Sequence, residues 1–179
     1  MLARKIVSIH PAVILAVMLL CAAGPTVWSW IVRPSVDDLL IVYRVATAPI
    51  VVLWSAWLWA INTAALEAMQ EWSEPRQRRW FVVSPCLAVL PFLVLPNRAQ
   101  DMGGVLALLA NVFGPAFLVC CGFCLWKTAE ALERMVAPEG KPSRLKIFSS
   151  TVLLGMFYIA PFVVARRFAA YDKAVEVPA

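Results

Sequence analysis

Residues 49–69 read PIVVLWSAWLWAINTAALEAM, and residues 115–135 read PAFLVCCGFCLWKTAEALERM. The two segments align without a gap at an offset of 66 residues. Each copy is followed by a polar loop and a further apolar stretch, so the sequence predicts one membrane hairpin written twice. A repeat of this kind indicates an architecture and names no activity. The five identical positions are Pro49, Ala65, Leu66, Glu67 and Met69, which recur as Pro115, Ala131, Leu132, Glu133 and Met135.

The chain as a whole is strongly apolar. Of the 179 residues, 62% are hydrophobic and 15% are charged, whereas soluble domains are about 45–50% apolar. The chain is therefore predicted to be a single membrane domain over residues 1–179. Its formal net charge is +5, but the Lys and Arg residues lie between apolar runs and form no basic stripe with interleaved aromatics. The lipid bilayer, and not nucleic acid, is the expected partner.

Five apolar stretches are long enough to cross a hydrocarbon core about 30 Å thick, which takes about 17–25 helical residues. The predicted fold is all-α: a polytopic transmembrane bundle of five helices, with one lead helix and two hairpins in parallel repeat. The predicted spans are residues 7–31, 45–66, 80–96, 104–126 and 147–165.

The distribution of basic residues orients this bundle, because Lys and Arg in short loops stay on the cytoplasmic side. The predicted loops place ten of the 16 basic residues on one side and six on the other. The N-terminus is accordingly predicted to be cytoplasmic and the C-terminus to lie outside, although this leaves Arg166 and Arg167 on the unfavourable side of the last span. Residues 1–24 resemble a signal peptide and are interpreted as an uncleaved signal anchor, because the apolar run continues through Ile31.

Charged residues follow the apolar part of both repeated helices. Glu67 and Glu71 share a helix face, and Glu130 and Arg134 have the i, i+4 spacing of an ion pair. Together with Glu133, these side chains form either solvated helix ends or a surface for a partner protein. Small residues within the spans, Gly122 and Gly155, permit close approach of another helix.

Few residues carry recognisable chemistry, and no catalytic or metal site is predicted. His10, Trp54 and Trp57 are candidates for contact with a bound lipid, quinone or pigment, although helix packing for the tryptophans and a hydrogen-bonded interfacial imidazole for His10 are the favoured explanations. Cys121 and Cys124 have the C-x-x-C spacing of redox sites, but cysteine also serves as a small apolar residue in packed helices. No cofactor is predicted.

One family resemblance extends over roughly residues 45–170. Thr128-Ala129 and Leu132-Glu133 precede a polar loop, and an apolar span containing Phe157, Pro161 and Phe162 then leads into Arg166-Arg167. An earlier span ends near Asn62. This pattern resembles small bacterial integral membrane proteins of uncharacterised function. The resemblance implies a bacterial inner (plasma) membrane and no known activity or site.

The functional expectation is a non-enzymatic accessory or structural subunit that packs against a larger membrane complex or against a second copy of itself. Two alternatives stay open. One is a small transporter or channel with a site between the two hairpins. The other is a membrane thiol-redox protein that uses Cys121 and Cys124.

Overall fold

The protein is helical throughout the part that the structure, a computed structural model, describes, namely residues 11–71, 75–94, 102–108, 111–112, 114–137, 142–156 and 159–176. No strand occurs in these ranges, which confirms the predicted all-α class. The α-helices are α1 Pro11–Val32, α2 Val36–Ala68, α3 Pro75–Val94, α4 Met102–Leu108, α5 Gly114–Val136, α6 Arg144–Gly155 and α7 Ala160–Glu176.

Two segments within these helices are long and apolar enough to cross a membrane. They are Pro49–Ala68 in α2 and Pro115–Val136 in α5. Both are the repeated segments. Among the described residues, the first covers most of the predicted span 45–66, whereas the second overlaps only the latter half of the predicted span 104–126.

Local sequence signals explain where α2 begins and ends. The Ser35 hydroxyl oxygen accepts a hydrogen bond from the backbone N–H of Asp38 at 3.2 Å, and Asp37 and Asp38 place negative charge in the first turn. Both features stabilise a helix N-terminus. At the other end, Gln70 adopts a left-handed φ of 58°. This conformation stops the helix and turns the chain toward α3.

Helices α2 and α5 run parallel to each other and in nearly the same register. Asn62 on α2 bonds to the Lys127 carbonyl on α5, and Glu71, three residues past the end of α2, pairs with Arg134 further along α5. The direction that the repeat predicts for the two long helices agrees with these contacts.

Each long helix has an antiparallel neighbour that follows it in the sequence. Gln77 near the start of α3 bonds to Asn62 of α2. Ser150 of α6 bonds to Glu133 of α5, and Gly155 at the end of α6 faces Leu125 near the middle of α5. The described residues thus contain the hairpins α2–α3 and α5–α6.

The core lies along the α2–α5 contact and involves equivalent positions of the repeat. Other equivalent positions differ in burial, among them the repeated glutamate, since Glu67 is exposed whereas Glu133 is buried. The buried equivalents are Leu58 and Cys124, Asn62 and Thr128, Ala65 and Ala131, and Leu66 and Leu132.

Two predicted spans differ from the observed helices. The predicted span 104–126 comprises α4 and the first half of α5, which continues to Val136. The predicted span 147–165 is interrupted between Gly155 and Ala160, so a continuous fifth span is not observed. Pro161 lies in the first turn of α7, where its missing N–H costs nothing, and it disfavours helical backbone in the residue before it. These preferences place a helix start where hydropathy predicted a helix interior.

Candidate functional site

A buried carboxylate lies at one end of the bundle. Glu133 on α5 is 4% exposed. Its Oε1 accepts a hydrogen bond from the Ser150 hydroxyl at 2.5 Å and lies 2.6 Å from Nη2 of Arg167. An unpaired charge in such surroundings would be costly, so these two contacts make the position of Glu133 tolerable. The cluster joins α5, α6 and α7.

A second polar cluster lies at the same end, between α2, α3 and α5. Asn62 is 1% exposed. Its Nδ2 donates to the backbone carbonyl of Lys127 at 3.2 Å, and its Oδ1 accepts from Nε2 of Gln77 at 3.3 Å. One buried amide therefore links three helices through both of its polar atoms.

The last helix is joined to the end of α2 as well. The Tyr171 hydroxyl on α7 donates to the carbonyl of Ala68 at 2.8 Å. Ala68 is the last residue of α2, and its carbonyl has no partner further along the helix. We call the end of the bundle that contains Ala68 and Val136 the polar end, and we call these side chains the polar network: Asn62, Gln77, Glu133, Ser150, Arg167 and Tyr171.

Two surface ion pairs complete the polar end. Arg134 pairs with Glu71, which lies just after the end of α2, and Lys127 pairs with Glu130 at 2.8 Å within α5. The predicted partnership of Glu130 with Arg134 is therefore replaced by two other pairs. The cause is the register of α2 and α5, which brings Glu71 to Arg134.

The sequence predicts Glu133 to be a helix-end residue available to a partner, whereas the structure buries it. The topology predicted from the sequence puts Arg167 on the opposite side of the membrane, and no sequence pattern singles out Ser150. The sequence contains a signal for the contact between Glu133 and Arg167. Glu133 lies near the end of an apolar segment, and a buried carboxylate requires a basic partner. Arg166 and Arg167 were the basic residues left unexplained by the predicted topology.

The aromatic candidates lie on α2, away from the polar network. The rings of Trp54 and Trp57 are 5.0 Å apart between centroids. Trp57 is 5% exposed, and its Nε1 has no hydrogen-bond partner among the described residues. His10, the remaining candidate for cofactor contact, lies outside the described residues.

The cysteine pair borders a small cavity between the two long helices. The cavity has a volume of about 160 Å³, and Cys121, Cys124, Ser55, Ser84 and Trp54 contribute to its mostly apolar lining. Both cysteines are free thiols. Among the described residues, no group of three or more His, Cys, Asp or Glu side chains is placed to hold a metal ion.

The two glycines predicted at helix contacts differ in their surroundings. Gly155 faces Leu125, whose Cδ1 would lie 3.9 Å from an added Cβ. Gly122 is exposed, and an added Cβ there would meet no atom within 4 Å. Gly122 therefore leaves a free surface on α5.

No protein-family model, curated protein or solved structure matches this chain. Its function must accordingly be argued from the geometry described above.

Proposed function

We propose that the chain is a non-enzymatic accessory or structural protein of a bacterial inner membrane that packs against a larger membrane complex or against a second copy of itself. The observation that carries the proposal is a pair of matching exposed stripes on the two repeated helices. Each stripe follows the i, i+3, i+4, i+7 pattern of one helix face. The α2 stripe is Pro49, Val52, Leu53 and Ala56, and the α5 stripe is Pro115, Leu118, Val119 and Gly122.

The middle of each stripe suits contact with another membrane helix. In lipid, helices associate through close packing and not through exclusion of water, and small residues such as Ala56 and Gly122 allow their backbones to approach. Large apolar side chains flank these small residues, with Leu118 and Val119 about 70% exposed.

The polar network supports a scaffold in a different way. Its hydrogen bonds and ion pair join α3, α6 and α7 to the two long helices at the polar end, and the charges of Glu133 and Arg167 neutralise each other. Such a network restrains the angles between helices. The stripes are thereby held in a constant relative position, which a packing surface requires.

Gentle purification followed by a matched pair of glycine substitutions tests the proposal. Gly122 and Gly24 are both exposed glycines with open space around them, on α5 and α1 respectively. We expect the natural chain to elute from a mild detergent as a complex or a dimer, Gly122→Leu to dissociate it, and Gly24→Leu to leave it intact. A clean monomer with no companion chain would contradict the proposal.

The cavity between α2 and α5 favours a second candidate function, a site for a small molecule between the hairpins. Its volume of about 160 Å³ lies below the roughly 300–1,000 Å³ of sites for drug-sized ligands, so only a small solute would fit. Because Cys121 and Cys124 line it, the thiol-redox alternative belongs to the same cavity. If Cys121→Ser or Cys124→Ser assembles normally but no longer supports the protein's function in cells, the result would favour this candidate over the scaffold.

A further inference from the structure

Large apolar side chains are exposed along one side of α6 and across the break as far as the first turn of α7. On α6 they recur with helical spacing, at positions 145, 148 and 152, and they continue through the break onto α7. Their exposed fractions range from 43% to 77%. They are Leu145, Phe148, Val152, Met156, Ile159 and Phe162.

The two arms of this segment run back to the same end of the bundle. Ser150, six residues before the break, and Arg167, eight residues after it, both contact the same oxygen of Glu133. Further along α7, Tyr171 bonds to Ala68 at the polar end. A helix that crossed the bundle completely would carry Arg167 and Tyr171 to the opposite end.

The length of the arms corresponds to half a membrane. Helix α6 has 12 residues, which gives about 18 Å at 1.5 Å per residue. Half of the hydrocarbon core measures about 15 Å. The tip between α6 and α7 would therefore reach the middle of the bilayer and return.

The described backbone on either side of residues 157 and 158 is compatible with such a position. The N–H of Met156 donates to the Val152 carbonyl, and the N–H groups of Ile159 and Ala160 donate to the Met156 carbonyl. Ala160 and Pro161 are buried against the rest of the chain. Interrupted helices occur at membrane depth only where their polar groups are satisfied or covered by protein in this way.

The base of the segment is positively charged. Arg144 and Lys146 are exposed on α6, and Arg166 and Lys173 are exposed on α7, with the exposed Asp172 beside Lys173. Basic residues at the boundary of an apolar surface attract anionic lipid headgroups. The exposed apolar side chains therefore match the acyl chains of one membrane leaflet. The exposed basic residues match the anionic headgroups of the same leaflet.

We infer that α6 and α7 form a re-entrant hairpin that inserts into the leaflet at the polar end and binds anionic lipid headgroups through Arg144, Lys146, Arg166 and Lys173. The C-terminus then lies on the same side of the membrane as the loop between α5 and α6. Arg166 and Arg167 join the other basic residues there, which removes the conflict with the positive-inside rule. The inference holds whether or not the chain has a protein partner.

Thiol labelling of the two ends of the hairpin tests the topology. Pro142→Cys and Lys173→Cys are treated with a membrane-impermeant maleimide in intact spheroplasts and in inverted vesicles, and the natural chain supplies the background of its own cysteines. Both variants are expected to react in inverted vesicles only. Reaction of the two positions from opposite sides would show that the segment crosses the membrane and would overturn the inference.

Lipid retention tests the headgroup contact. The chain is reconstituted with an equal mixture of phosphatidylglycerol and phosphatidylcholine and is then extracted with detergent. Native mass spectrometry identifies and quantifies the lipids that remain bound. Arg166→Gln with Lys173→Gln is expected to lower phosphatidylglycerol retention by on the order of tenfold. The charge-matched control, Arg33→Gln with Arg79→Gln, removes two exposed arginines outside the hairpin and is expected to change retention less than twofold.

Two results would overturn the lipid contact. One is equal retention in both double variants. The other is efficient disulfide formation between two copies carrying Phe148→Cys, because it would show that a second chain covers the apolar face of α6.

Discussion

Glu133 is the residue on which the polar end depends most. Arg167→Met removes its charged partner and leaves the carboxylate with the Ser150 hydroxyl alone. Because the Arg167 side chain is itself about one-third exposed, we expect a loss of about 2–3 kcal/mol in the free energy of unfolding, which is less than the roughly 3–5 kcal/mol that breaking a fully buried pair costs. Unfolding in mixed micelles with increasing SDS measures this quantity.

The adjacent arginine provides the control for that experiment. Arg166 is exposed, so Arg166→Met is expected to change the free energy of unfolding by no more than about 0.5 kcal/mol. Equal destabilisation by the two variants would mean that the Glu133–Arg167 contact contributes nothing specific.

The buried amide of Asn62 supports a second prediction at this scale. Asn62→Leu and Gln77→Leu each remove the hydrogen bond between α2 and α3. In the double variant the second substitution has no such bond left to remove, so its cost is smaller than in the natural chain. We expect a coupling energy of about 0.5–1.5 kcal/mol in a double-mutant cycle. Additive effects of the two substitutions would show that the 3.3 Å contact is energetically silent.

The repeated glutamates show how much a sequence reveals about single residues. Glu67 and Glu133 occupy equivalent positions, and the pattern around them is the same. Only Glu133 is buried, because α6 and α7 return over the end of α5 with Ser150 and Arg167. The burial of a side chain depends on what packs over it, and that contact joins residues distant in sequence.

Among the elements, the hydrogen bond between Tyr171 and Ala68 holds the outer part of α7. Tyr171→Phe keeps the ring and removes the donor to a helix-terminal carbonyl. We expect a loss of about 1 kcal/mol and faster amide exchange in α7 beyond Arg167, with exchange in α6 unchanged. Hydrogen-exchange mass spectrometry resolves the two helices, and Asp172→Ala, which alters an exposed neighbour, serves as the control.

The all-α class and the two long apolar helices followed from the sequence, whereas the break in the last segment did not. Apolar residues run on both sides of positions 156–159, so hydropathy alone describes one long helix. What divides the segment is Pro161 near the start of α7 and the contact of both arms with Glu133. The first signal is local but ambiguous, since proline also occurs inside the long helix α2 at Pro49. The second exists only in three dimensions.

For the molecule as a whole, the two long helices α2 and α5 have different surroundings. Helix α2 is followed by α3, which has 20 residues, whereas α5 is followed by the 12-residue α6 and the returning α7. The exposed stripes on α2 and α5 are alike, but the polar end is built on one copy only. A partner that binds both stripes would therefore meet similar surfaces near the middle of the helices and different surfaces at the polar end.

The cavity between α2 and α5 distinguishes the two candidate functions of the whole molecule. Cys121→Leu adds methyl groups to a space of about 160 Å³, so we expect the free energy of unfolding to rise by about 0.5–1 kcal/mol. Cys86→Leu changes an exposed cysteine in the open groove between α2 and α3 and is expected to have no effect. If the chain is a scaffold, Cys121→Leu assembles as the natural chain does in mild detergent. If the cavity holds a small solute, the same variant assembles normally but no longer supports the protein's function in cells. That result would indicate that the protein acts through the cavity and not through the stripes.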